Sequence, residues 1–169
     1  HWTRKRRTKL RGNDKAERNL IVIERMNVGV IAGLPVAIAG YFWANRLLPL
    51  DLPQRGEWEI HTIFLIWLVM VIHGMVHKPE RGWTEQLWLA AAAFILLPVL
   101  NGLTSRIHLF NTLPLPGRSG DLALAGVDLW FLVIGIGFVW AARVSATRAQ
   151  KDSGAAQSRL AGAKSVPAE

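Results

Sequence analysis

Apolar blocks of about twenty residues alternate with short polar stretches along the chain, and there are four of them. Residues 26–45 and 86–105 carry no acidic or basic side chain. Residues 60–77 lie between Glu59 and Lys78, and residues 122–142 are interrupted only by Asp128. A helix rises ~1.5 Å per residue and the hydrocarbon core of a bilayer is ~30 Å thick, so each block is long enough to cross it. In lipid the backbone must satisfy its own hydrogen bonds within the segment, which makes the blocks helices. The pattern predicts an all-α membrane protein with four transmembrane helices in a bundle.

The flanks set the expected orientation. Arg4, Lys5, Arg6, Arg7, Lys9, Arg11, Lys15, Arg18 and Arg25 precede the first block, and Arg143, Arg148, Lys151, Arg159 and Lys164 follow the fourth. Basic residues stay on the cytoplasmic side. Both termini are therefore expected in the cytoplasm, with the first and third loops outside and the short second loop, holding Lys78 and Arg81, inside. Trp43, Trp58, Trp83 and Trp140 fall near the predicted helix ends, where amphipathic rings favour the interface. The expected organisation is a basic cytoplasmic segment over residues 1–25, a membrane domain over 26–142, and a disordered cytoplasmic tail over 143–169 rich in Ala, Ser, Gly and basic residues.

Gly29, Gly33 and Ala37 fall at every fourth position of the first block, a stripe of small residues that lets helix backbones approach closely. Pro35 and Pro98 are expected to kink the first and third helices.

Composition narrows the chemistry. The chain has no cysteine, which removes disulfides, zinc–thiolate sites and iron–sulfur clusters and leaves His, Met and carboxylates as metal ligands. The net charge of +8 sits beside the apolar blocks, so it reads as topology and anionic-lipid contact rather than nucleic-acid binding. No phosphate-binding glycine loop or nucleotide fingerprint is present.

Polar residues inside a membrane tend to be functional. The second block carries His61, His73 and His77. His73 and His77 are four apart and share a helix face near one end, while His61 lies roughly 18 Å away along the axis, about 120° around the helix. Imidazole ligates haem iron, and an imidazole near each membrane surface suits two stacked b-type haems that carry electrons across the bilayer. The cofactor-binding candidates are His61, His73, His77 and His1, and the metal-ligand candidates are His61, His73 and His77. A histidine at a helix end also sits at low cost among headgroups, and a proton relay is the chemical competitor. His108, Arg106 and Arg118 fall in the third loop. Asp128 is placed to orient a histidine through its second ring nitrogen.

Several residue runs resemble the PepSY-associated transmembrane proteins. They are His1-Trp2-Thr3-Arg4-Lys5-Arg6-Arg7, Glu24-Arg25-Met26-Asn27-Val28-Gly29, Gly33-Leu34-Pro35, Tyr41 to Pro49, Trp58-Glu59-Ile60-His61, and Glu85-Gln86-Leu87-Trp88 with Leu97 to Asn101. The resemblance spans roughly Glu24 to Thr104 and implies an iron-regulated inner-membrane protein of a Gram-negative bacterium. It also implies earlier helices and a PepSY domain upstream of His1, and b-type haem on His61, His73, His77 and His1. The function it implies is a haem oxidoreductase that takes electrons from a cytoplasmic or quinol donor and reduces periplasmic ferric siderophore. The alternatives are a non-enzymatic membrane subunit that assists a siderophore transporter, and a proton- or metal-coupled transporter.

Overall fold

The computed structural model describes residues 14–104 and 122–164, and every regular element within them is a helix. We label the helices α1 (Asp14–Asn27), α2 (Gly33–Leu47), α3 (Arg55–Val76), α4 (Pro79–Thr104) and α5 (Leu122–Lys164). A π-helical turn, Val28–Ala32, joins α1 to α2 without a break, so together they make the first span. Four stretches are long and apolar enough to cross a membrane: Lys15–Leu47, Arg55–Val76, Pro79–Thr104 and Ala125–Ala155. The protein is thus an all-α bundle of four membrane-length helices.

The spans run alternately up and down. Arg25, in the last turn of α1, donates to the carbonyl of Met75 near the end of α3, and Thr84 near the start of α4 donates to Ser145 of α5. At the opposite end, Asn45 meets Glu59 and Asn101 meets Asp128. Asp14 and Lys164, the limits of the description, therefore lie toward the end that holds the α3–α4 turn.

Lipid offers no hydrophobic drive to bring apolar helices together, so close packing must hold the bundle. The small-residue stripe does this between the first two spans. A Cβ on Gly29 would lie 2.5 Å from the Cα of Val71, one on Gly33 would lie 2.5 Å from the Cβ of Met70, and Ala37 is fully buried. Gly74 answers from α3, where a Cβ would come within 2.6 Å of the Gly29 nitrogen. The core runs through Val36, Ala39, Met70, Ala90, Phe94, Leu97 and Phe131, with Phe94 stacked on Phe138. α5 packs chiefly on α4, whereas α3 leans on the first span and touches α4 little. The gap between α3 and α4 is an apolar groove of about 470 Å³, floored by Val36, Gly40 and Ala44.

Both prolines leave a carbonyl short of a helix donor, and each vacancy lies beside an indole. Pro35 cannot donate back to the π turn, and Trp67 of α3 donates to the Val30 carbonyl there. Pro98 cannot donate to Phe94, and Trp43 donates to the neighbouring Ala93 carbonyl. Trp43 is thus a packing residue between spans as well as a residue near a helix end.

The helices are longer than the apolar blocks. α4 begins at Pro79 instead of 86, α3 at Arg55 instead of 60, and the first span reaches back to Asp14 through part of the expected basic segment. The tail expected to be disordered from residue 143 is helical to Lys164. Ala, Arg, Gln and Lys are strong helix formers, and the span before them has already met the cost of nucleation. Among residues 143–158 whose burial is described, most of this extension is exposed, so that stretch lacks the burial that a packed element would have.

Candidate functional site

The α3–α4 turn is tight. α3 ends at Val76, His77 adopts an extended conformation, and α4 starts at Pro79, whose fixed φ suits a first helical position. This hairpin folds the first two turns of α4 back along the last turns of α3. It brings Glu85 and Gln86 onto the histidine face.

Five side chains meet there. The His73 and His77 rings stack with centroids 4.2 Å apart and planes 24° from parallel, as the four-residue spacing predicts. Glu85 Oε2 lies 3.1 Å from His73 Nε2 and 4.0 Å from His77 Nε2. The shorter contact is electrostatic and lacks the alignment of a hydrogen bond: Oε2 is buried and has no hydrogen-bond partner. Arg81 Nε donates to the other carboxylate oxygen, Oε1, at 2.6 Å. Gln86, only 1% exposed, donates from Nε2 to the Met70 carbonyl (2.8 Å) and to His73 Nδ1 (3.2 Å).

These contacts fix one imidazole outright. His77 Nδ1 lies 3.0 Å from the His73 carbonyl, which can only accept, so Nδ1 carries a proton and Nε2 is the ring nitrogen directed toward Glu85. The donor atoms of His73, His77 and Glu85 all lie within 4.8 Å of one another, close enough to converge on a single cation. The three side chains are between a quarter and a third exposed. Glu85 also lines a cavity of about 1140 Å³ with Glu24, Lys78, Glu80, Arg81 and Asp152.

His61 stands apart. It is exposed near the other end of α3 and its ring meets Trp58 edge-on at 5.9 Å. Phe64, Leu65, Leu68, Ile72 and Val76 continue an exposed apolar face along the same helix. The predicted ligands thus divide into a convergent pair, His73 and His77, and a separate His61. His1 and His108 lie outside the described residues, as do Arg106 and Arg118. Asp128 is buried and accepts from Asn101 of α4.

The donor set bears on the expected haem. Two axial ligands must approach iron from opposite faces of the porphyrin, but His73 and His77 are stacked side by side with both Nε2 atoms directed at Glu85. The pair therefore does not fit as the two ligands of one haem. Two imidazoles and one carboxylate are instead a mixed nitrogen–oxygen set, of the kind that binds borderline divalent metals.

The sequence reading omitted Glu85, Gln86 and Arg81 as site residues. Their signal was present: a Glu-Gln pair stands one short hairpin beyond His77, at the polar edge of the third apolar block. Near the opposite end, Glu59 is buried as well, accepting from Asn45 Nδ2 at 3.1 Å and pairing with Arg55 at 3.3 Å. Arg55 also donates to the Asn45 carbonyl, so this cluster ties the first span to α3.

Compared with known proteins, the chain matches no family model, no curated protein and no solved structure. The resemblance to PepSY-associated proteins rests on the residue runs alone.

Proposed function

We propose that this multi-pass membrane protein binds a divalent transition-metal ion at His73, His77 and Glu85 and works as the metal-handling part of a metal-coupled membrane transport system. The observation that carries this reading is the convergence of Glu85 Oε2 with the Nε2 atoms of two imidazoles, at 3.1 and 4.0 Å. Their donor atoms lie within 4.8 Å of one another, so a cation bound there would meet two nitrogens and one oxygen at once. Ionisable groups within membrane-spanning helices are rare and mark ion paths, and the cavity beside Glu85 gives this one a way in. The resemblance to an iron-regulated inner-membrane family makes iron the first ion to test. Metal analysis of the detergent-purified protein after loading with Fe²⁺ or Zn²⁺ checks the proposal. A single tightly held ion, lost in His73→Ala, His77→Ala and Glu85→Ala, is expected; an unchanged content in those variants would refute it.

A second reading is favoured by His61 and the exposed apolar face that follows it on α3. Covered by further helices, that face would offer His61 as a single ligand to one b-type haem, with a second haem held elsewhere in the bundle. Haem bound there would supply one-electron transfer, and this chain would provide one imidazole and a dry wall. The protein would then be an inner-membrane oxidoreductase, fed by a cytoplasmic or quinol donor and acting on ferric siderophore. An absorption spectrum of the membrane-extracted protein decides it: Soret and α bands that sharpen with dithionite support it, and their absence excludes it.

A further inference from the structure

Resting on the metal-site reading above, we propose that Arg81 and Gln86 make this a three-ligand site selective for borderline divalent transition-metal ions, with a fourth coordination position open for exchange. Each ligand is held by one partner of its own. His77 is fixed by its Nδ1–H on the His73 carbonyl, His73 by Gln86, and Glu85 by Arg81. Such outer partners orient metal-binding side chains and raise their affinity.

Arg81 decides how many oxygens the ion meets. It occupies Oε1 at 2.6 Å, so Glu85 can offer only Oε2. Two nitrogens and one oxygen with bonds of ~2.0–2.2 Å suit a four-coordinate ion, which spaces its ligands by ~3.4 Å. The Oε2 to Nε2 separations of 3.1 and 4.0 Å bracket that spacing. Ca²⁺ asks for six to eight oxygens and Mg²⁺ for an octahedron of them, so a one-oxygen site rejects both. The fourth position falls to water or another small oxygen donor. Of the three ligands Glu85 is the one that lines the large cavity, so exchange takes place from that side.

Gln86 sets the tautomer. Its Nε2 faces His73 Nδ1, and its own Oε1 is buried with no donor. Half a turn of the amide gives up the Nε2 bond to the Met70 carbonyl and brings Oε1 against Nδ1. His73 then carries its proton on Nδ1 and releases the Nε2 lone pair to the ion. The proton leaves one ring nitrogen and another joins the second, so the imidazole stays neutral.

The test uses the full chain in mild detergent, with Co²⁺ as an optical probe. Expected are intense visible bands of four-coordinate Co²⁺, removed by Zn²⁺ and unaffected by a large excess of Mg²⁺. Arg81 is 70% exposed, so Arg81→Gln leaves the fold intact. It frees Oε1, and the bands should weaken toward those of five- or six-coordinate Co²⁺, with affinity down about 10–100-fold. Gln86→Leu should cost a similar factor without changing the band shape. If wild type binds neither Co²⁺ nor Zn²⁺, the metal-site reading itself falls. If Co²⁺ binds and is lost in His77→Ala, but shows weak bands that Arg81→Gln does not alter, the metal site stands and the selectivity proposal is overturned.

Discussion

Trp67 donates its indole N–H to the carbonyl of Val30 at 3.1 Å, five residues before Pro35. Pro35 has no N–H for the carbonyl of Ile31, one residue further along, so the indole joins α3 to the first span where its own ladder is interrupted. Trp67→Phe keeps the ring and removes the donor. We expect a loss of about 0.5–1.5 kcal/mol, the net worth of one hydrogen bond, read as a lower Tm in detergent.

The contact between the first two spans predicts a sharp contrast among glycines. At Gly29 and Gly74 an added Cβ would lie 2.5 and 2.6 Å from backbone atoms of the facing helix, which cannot move aside like a flexible side chain. Gly29→Ala and Gly74→Ala should each destabilise by about 1–3 kcal/mol through overpacking. Nothing lies within 4 Å of a Cβ at Gly137, so Gly137→Ala should be neutral or slightly stabilising. Equal Tm values for the three variants would contradict the packing described.

Asn101 and Asp128 link α4 to α5 through a buried hydrogen bond. Asn101→Leu removes the amide donor from a buried carboxyl group, and a loss of about 1–3 kcal/mol is expected. Thermal unfolding of the variant beside wild type measures the loss.

Glu59 near the other end of α3 should behave as a structural residue. Glu59→Gln keeps an oxygen for Asn45 and Arg55 and should cost little. Glu59→Leu leaves Arg55, whose side chain is 24% exposed, without its carboxylate and should cost about 1–3 kcal/mol. Neither change should alter Co²⁺ binding, since Glu59 lies fourteen residues along α3 from His73. A loss of metal in Glu59→Gln with an unchanged Tm would show that the two clusters are coupled.

The sequence by itself determined the four helices, because a bilayer demands apolar runs of fixed length and self-satisfied backbones. It also determined the Gly29–Gly33–Ala37 packing stripe and the shared face of His73 and His77, since both follow from helical periodicity. It missed the helical continuations at either end of the membrane domain. Polar residues there give no apolar signal, yet they extend helices already nucleated by the spans. Only the tertiary structure decided which groups meet the histidines. Glu85 and Gln86 belong to the next helix, and whether they face His73 depends on the turn at His77–Pro79 and on the rotation of α4, neither of which periodicity reports. The same holds for Trp67 and Val30: a proline break is legible in sequence, but the indole that bonds beside it comes from a different helix.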